Sequence, residues 1–149
     1  MGKRAEVGAR GFTLVELVVT LFVIALAGAL VGPAIGRSTE TVRARADVAG
    51  FSAFFRHARE QAITQRRPLR VVVEPAEHRV TILAGEADLL RTRTFPERLT
   101  IEPASATARV VRFEPEGTST GGEYRLTSGE TTYRVTVDSV TGRVRSVRQ

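Results

Sequence analysis

The chain has 149 residues and a formal net charge of +6, so its length suits one modest domain rather than a multidomain enzyme. Its 22 basic residues include a single lysine, Lys3, and 16 interspersed acidic residues offset them, which argues against a nucleic-acid-wrapping polycation. The absence of cysteine and the presence of only two histidines exclude disulfide scaffolds, thiol chemistry and Cys/His zinc sites.

A basic N-terminus is followed at once by a long apolar run. Residues 1–11 carry three basic side chains and one acidic side chain, whereas residues 12–36 contain a single ionisable residue, Glu16. A helix rises about 1.5 Å per residue, so residues 12–36 are long enough to cross a bilayer core of about 30 Å. The sequence therefore predicts a transmembrane segment with a positive, cytoplasmic N-terminal flank.

Three interpretations of this segment compete. A secretory signal peptide would be cut near the small-x-small pattern at residues 25–27, but the apolar run continues past that point. A plain membrane anchor would tolerate Glu16 as a defect near the interface. In the third interpretation Glu16 is functional, because a carboxylate inside a membrane is costly and needs a partner.

The hexapeptide Gly11-Phe12-Thr13-Leu14-Val15-Glu16, between a basic leader and an apolar helix, resembles the processing site of type IV pilins and pseudopilins. This resemblance implies that a prepilin peptidase cuts after Gly11, and that the new N-terminal residue, Phe12, is N-methylated. It also makes Glu16 the fifth residue of the mature chain. Pro33 interrupts the second half of the apolar helix, as in many members of that family.

Charge pairing between subunits can explain the spacing of Phe12 and Glu16 in this motif. Cutting before Phe12 creates an α-amino group with a pKa near 8, and Glu16 lies one helical turn away. The carboxylate of one subunit can meet the amine of a neighbour, so two groups that are costly in lipid become satisfied in an assembly. Pro33 removes a backbone N–H, and we expect the helix to bend there.

The helix is expected to continue beyond the membrane, as an amphipathic segment over residues 37–67. Apolar residues recur there at three- and four-residue steps through about Gln65, and Phe54 widens the stripe. Gly50 is a weak point, and Arg66-Arg67-Pro68 supplies the stop, since the residue before proline avoids helical geometry.

Residues 68–149 follow the pattern of a β-rich domain. The fold class is therefore α+β, with a long N-terminal helix packed on a C-terminal antiparallel sheet or small sandwich. The expected strands are Leu69–Glu74, Arg79–Leu83, Leu90–Phe95, Arg98–Glu102, Arg109–Phe113, Glu123–Leu126, Thr131–Val137 and Arg143–Val147.

The span from about Phe51 to the C-terminus resembles the GspH/FimT group of minor pilin-like proteins, which adds to the expected type IV pilin-like fold. Three short motifs carry this resemblance: Ala-Arg-x-x-Ala at residues 58–62, Phe-x-Pro-x-Gly at residues 113–117 and Thr-Gly-Arg at residues 141–143. Each motif alone is common, and their order behind the pilin-type leader is what makes the match informative.

Catalytic signatures are lacking. The sequence has no G-x-S-x-G elbow, no phosphate-binding glycine loop with a following lysine and no H-E-x-x-H. His57 and His78 have no partner at metal-ligand spacing, so we expect surface histidines. We therefore expect no enzyme, no cofactor and no metal.

Two functions remain, and both follow from the resemblance. The first is a minor pseudopilin of a type II secretion system, anchored in the inner membrane by one span with a periplasmic C-terminal domain. It would assemble with other pseudopilins at or near the tip of a periplasmic filament. The alternative is a FimT-like minor type IV pilin, involved in pilus assembly or DNA uptake. In that case Arg143, Arg145 and Arg148 would contact phosphates, whereas in a secretion subunit their alternation with valines is typical of the solvated face of an edge strand.

Overall fold

The structure, a computed structural model, describes residues 12–149, except for the side chains of residues 30–38. The chain divides into two compact units, one ending at Thr39 and one spanning Glu40–Gln149. Helix α1, Leu14–Gln65, has 52 residues. Within the described residues, we find no helical stretch that is both long and apolar enough to span a membrane.

Two predictions about the N-terminal region concern residues that the structure does not describe, or whose side chains it does not describe. Gly11, the expected cleavage residue, precedes the described chain. Pro33, the expected bend, falls among residues 30–38.

The amphipathic stripe on α1 forms one side of the core of the second unit. Val48, Phe51, Phe55, Ala58 and Ala62 are all buried, as their helical spacing predicted, and Phe54 is buried beside them. Because each of these side chains leaves water completely or nearly so, the stripe holds α1 against the sheets through the hydrophobic effect.

Helix α1 ends at Gln65 as predicted, but the residue before Pro68 is not what ends it. Arg66 adopts a left-handed backbone conformation with φ 51°, a role usually taken by glycine. Its N–H donates to the Ile63 carbonyl at 3.3 Å, and the Arg67 N–H donates to the Ala62 carbonyl at 3.2 Å. This pair of bonds is the Schellman arrangement, so the turn at Arg66 closes the helix before Pro68 acts.

Within residues 12–149 the structure has eight strands, which confirms the α+β fold class. Every predicted strand is present, with ends shifted by at most two residues. The strands are β1 (Leu69–Glu74), β2 (Arg79–Ala84), β3 (Asp88–Thr94), β4 (Leu99–Pro103), β5 (Val110–Phe113), β6 (Gly122–Ser128), β7 (Thr131–Val137) and β8 (Val144–Arg148).

The strands form two four-stranded sheets rather than one. Their orders are β3-β2-β1-β5 and β4-β6-β7-β8, and all neighbouring strands are antiparallel. Alternation along β7 buries Tyr133, Val135 and Val137, as predicted. The rings of Phe51 and Phe55 on α1 lie 5.2 Å and 5.3 Å from the ring of Tyr124 on β6, so aromatic contacts join the helix to the second sheet.

Strand β3 is an exposed edge of the first sheet, and an arginine protects it. Arg93 is paired with the buried Val80, and its guanidinium group lies 5.0 Å from the centre of the Phe95 ring. A side chain at Gly50 would bring a Cβ within 2.6 Å of the Arg93 guanidinium nitrogen. The predicted weak point at Gly50 is thus a place of close approach, and the positive charge of Arg93 on this edge strand discourages edge-to-edge pairing.

Candidate functional site

The start of α1 is built around Thr13. The Thr13 hydroxyl accepts a hydrogen bond from the Glu16 N–H at 3.2 Å, and the Thr13 carbonyl accepts the first helical bond, from Leu17 N–H, at 3.2 Å. Thr13 is therefore the N-cap, and Glu16 occupies the third helical position, the spacing of a capping box. The Thr20 hydroxyl donates to the Glu16 carbonyl at 2.7 Å.

Glu16 has a local reason to stand in the first turn, because a carboxylate there interacts favourably with the positive end of the helix dipole. Its side chain is exposed, as is that of Phe12, which is 79% accessible. The predicted site residues Phe12 and Glu16 are therefore both exposed, Phe12 just before α1 and Glu16 in its first turn.

A second cluster contains residues from all three of the short motifs at residues 58–62, 113–117 and 141–143. Arg59, from the Ala-Arg-x-x-Ala stretch, donates its Nε–H to the Gly117 carbonyl at 3.1 Å and to the Thr141 carbonyl at 3.0 Å. Gly117 ends the Phe-x-Pro-x-Gly turn, and Thr141 begins the Thr-Gly-Arg stretch. We call this cluster of Arg59, Gly117, Thr141 and Gly142 the Arg59 junction.

Two glycines in the Arg59 junction are required by their surroundings. Gly117 has φ +88°, a conformation that side chains rarely adopt, and its N–H closes the turn by donating to the Glu114 carbonyl at 2.9 Å. Gly142 has φ +61°, and a Cβ there would clash with the Gly117 carbonyl oxygen and come within 2.9 Å of Arg59 Nε. The junction therefore depends on the absence of a side chain at Gly142.

The loop between β7 and β8 is organised by Asp138. One of its carboxylate oxygens accepts hydrogen bonds from the Thr141 N–H at 2.7 Å, the Thr141 hydroxyl at 2.8 Å and the Val140 N–H at 3.1 Å. These bonds, those from Thr141 first, hold the pKa of Asp138 below its ordinary value of 3.8, and the nearby Arg145 adds to the effect. Asp138 thus fixes the loop that presents Thr141 to Arg59.

The three C-terminal arginines proposed as phosphate contacts are all exposed, but they do not act as one group. Arg143 and Arg145 line the same two grooves beside β8. Arg148 lines neither groove and lies at the far end of β8, opposite Tyr133. The structure therefore brings two of the three predicted residues together.

The histidines are partly buried rather than exposed. His78 Nδ1 lies 3.0 Å from the Leu99 carbonyl oxygen, which ties the turn after β1 to β4. Across the described part of the chain, no three His, Cys, Asp or Glu side chains gather closely enough to hold a metal ion.

Comparisons with known proteins identify this combination of helix start and globular domain. The family model for the type II transport protein GspH matches residues 47–142, and the model for the prokaryotic N-terminal methylation motif matches residues 8–32. This chain belongs to the GspH family. The type II secretion system protein H of Xanthomonas campestris pv. campestris is 33% identical over 141 residues, which cover 92% of this chain and 82% of that protein.

Solved structures show the same fold. The type IV minor pilin FimU of Pseudomonas aeruginosa matches with a TM-score of 0.60 and 18% identity, over 72% of this chain and 90% of that chain. The minor pseudopilin EpsH from the type 2 secretion system of Vibrio cholerae matches with a TM-score of 0.55 and 16% identity, over 73% and 96%. At these identities the likeness concerns the fold alone.

Sequence reasoning missed the role of Arg59. The three motifs of the GspH-family domain looked separate in the sequence, and only their convergence gives Arg59 a function. One signal was available: Arg59 sits inside the Ala58-to-Ala62 stretch, next to the buried stripe of α1, where a charged side chain needs a polar partner.

Proposed function

We propose that this GspH-family protein is a minor pseudopilin of a type II secretion system, incorporated at or near the tip of a periplasmic filament. The match of the GspH model to residues 47–142 carries this proposal, because it covers the C-terminal third of α1 and most of the β-rich part. The protein acts as a structural subunit rather than an enzyme. Its partners are other pseudopilins, the prepilin peptidase and the inner membrane.

Processing precedes assembly in this proposal. The methylation-motif match over residues 8–32 spans Gly11, Phe12 and Glu16, and it supports cleavage after Gly11 and N-methylation of Phe12. The apolar segment 12–36 then anchors the subunit in the inner membrane, with the β-rich part in the periplasm. The intact mass of protein extracted from membranes tests the cleavage directly, and a chain that begins at Gly28 would contradict it.

Glu16 serves filament assembly. Its exposed position in the first turn of α1 lies one turn from the amine that cleavage creates, so the carboxylate can pair with the amine of a neighbouring subunit. The pairing would set the axial register of the subunits. The capping position of Thr13 gives a competing explanation, namely that Glu16 only stabilises the helix start.

Two substitutions separate these explanations. Glu16→Gln keeps a side chain suited to a capping box and removes the charge, whereas Glu16→Ala removes both. If charge pairing matters, both variants are cut normally but fail to support secretion. If capping is the whole role, Glu16→Gln supports secretion and only Glu16→Ala fails. Glu40→Gln, which removes an exposed carboxylate from the same helix, is the control and leaves secretion unchanged.

Crosslinking between apolar helices reports assembly separately from secretion. The chain contains no cysteine, so a cysteine introduced in residues 12–29 is its only thiol, and a disulfide to a cysteine introduced in the apolar helix of a neighbouring subunit reports their contact. Full incorporation of both Glu16 variants would refute the charge-pair mechanism.

The alternative, a minor type IV pilin acting in pilus assembly or DNA uptake, is favoured by the FimU likeness, which is a likeness of fold. The leader has three basic residues and one acidic residue, so its removal by cleavage lowers the formal net charge of the chain from +6 to +4. A secretion subunit with this small surplus should bind DNA weakly and lose that binding near physiological salt. Tight binding there, abolished by replacing Arg143, Arg145 and Arg148, would favour DNA uptake.

A further inference from the structure

A basic groove lies between α1 and the start of β8. Arg56, Arg59 and Glu60 line it from the helix, and residues 142–145 line it from the end of the β7–β8 connection and the start of β8. Its volume is about 240 Å³, large enough for one or two side chains of a partner. We call this cavity the arginine groove.

The arginine groove carries an unbalanced positive charge. The groove is lined by four arginines, Arg56, Arg59, Arg143 and Arg145, and by one carboxylate, Glu60. The Asp138 carboxylate lies outside this lining but interacts with Arg145, so about two formal positive charges remain without a partner of opposite sign. None of these four arginines belongs to the ion pairs found in the described part of the chain. By contrast, Arg134 on the neighbouring strand is paired with Glu123 at 3.3 Å. The groove is therefore complementary to an anionic partner.

The geometry favours carboxylates over nucleic acid. Hydrogen bonds from Arg59 to the Gly117 and Thr141 carbonyls fix its position, so less side-chain entropy is lost when it binds. Guanidinium groups form paired, charge-assisted hydrogen bonds with carboxylates and with phosphates alike, so the preference rests on the other residues of the groove. The residues that line the groove include no aromatic side chain, so the groove offers no platform on which a base could stack.

We propose that the arginine groove binds the carboxylate side chains of an acidic segment on a neighbouring filament subunit. The inference rests on the proposed function, because it takes its partner from the filament. It adds a contact made by the globular part to the contact that Glu16 makes at the other end of α1.

The composition of the chain allows a selective test. Its only lysine, Lys3, lies in the leader, so the processed chain has no lysine side chain. Arg143→Lys places a primary amine in the groove, and a zero-length carbodiimide reagent then joins that amine to a carboxylate in direct contact. Arg109→Lys, at an exposed position outside the groove, is the matched control. Both variants carry Glu60→Gln, which removes the groove's own carboxylate.

The experiment uses the full chain in its native membranes. We expect Arg143→Lys to give a crosslinked product in which position 143 is joined to an Asp or Glu of another pilin-like subunit, identified by peptide mass. Arg109→Lys should give none. Adding Arg56→Ala should reduce the yield about two- to fivefold, as expected for loss of one exposed charge pair. Salt near 1 M, where screening acts within about 3 Å, should reduce it further.

Three results would overturn the proposal. They are a yield no higher than that of the control, a product that nuclease destroys, and a product in which position 143 is joined only to this chain itself.

Secretion assays with the Glu16 variants keep this result separate from the proposed function. If the Glu16 variants lose secretion while Arg143→Lys gives no crosslinked product, the groove proposal is refuted and the proposed secretion function is not. A product with a pilin-like subunit in cells whose secretion does not need this protein would refute the secretion role and support the groove.

Discussion

Replacing Gly142 by alanine should dismantle the Arg59 junction, and the chain offers a matched control. Gly129 lies in the turn between β6 and β7 with φ +57°, close to the φ +61° of Gly142. A Cβ at Gly129 meets nothing within 4 Å, whereas a Cβ at Gly142 would overlap the Gly117 carbonyl oxygen. The two variants therefore share the same backbone strain and differ in steric conflict.

The magnitudes follow from these contacts. Left-handed backbone costs an alanine about 1–2 kcal/mol, which should be the whole effect of Gly129→Ala. Gly142→Ala also displaces Arg59, whose Nε–H bonds to two carbonyl oxygens, and loss of such a charged hydrogen bond costs about 1.5–3 kcal/mol. We therefore expect Gly142→Ala to lower the free energy of unfolding by about 2.5–5 kcal/mol.

Urea unfolding of a fragment that begins near Arg37, followed by circular dichroism, measures both changes. With a slope of about 2 kcal/mol per molar urea, the midpoint should fall by about 1.2–2.5 M for Gly142→Ala and about 0.5–1 M for Gly129→Ala. In the Arg59→Ala background, Gly142→Ala should lose part of its effect, because the two changes are coupled through one junction. Equal losses for the two glycine variants would refute the steric argument.

Phe55→Ala should cost about 3–5 kcal/mol, because the ring is fully buried and lies 5.0 Å from the Phe51 ring; a negligible loss would mean that this face of α1 is not core. Asp138→Asn should destabilise the same fragment at neutral pH. Because the folded protein holds the pKa of Asp138 below its ordinary value of 3.8, the ionised carboxylate stabilises the fold at pH values above 3.8, and this stabilisation is lost as the pH falls through the lowered pKa. The difference from the unmodified fragment should therefore vanish in acid, and a difference independent of pH would contradict the role of the charge. A chelator should leave the melting temperature unchanged, and a lower one would reveal a structural metal.

The sequence by itself determined the elements and their faces. Helical spacing identified the buried stripe through Phe51 and Phe55, and alternation identified β7 with its buried Tyr133, Val135 and Val137. These features are local, because a period of 3.6 or 2 residues assigns each side chain to a face without knowledge of the partner. The N-terminal motif was equally local, since Gly11, Phe12 and Glu16 stand within six residues.

Only the tertiary structure decided what those elements do together. The sequence left the number of sheets open and gave no sign that Gly50 makes room for Arg93, a contact between residues 43 positions apart. The Arg59 junction joins residues 58 and 82 positions apart, and the arginine groove exists because that junction brings the β7–β8 loop to α1. Such contacts depend on how faces meet in space. The periodicity of a segment shows which of its faces is buried, but it does not show which other segment packs against that face.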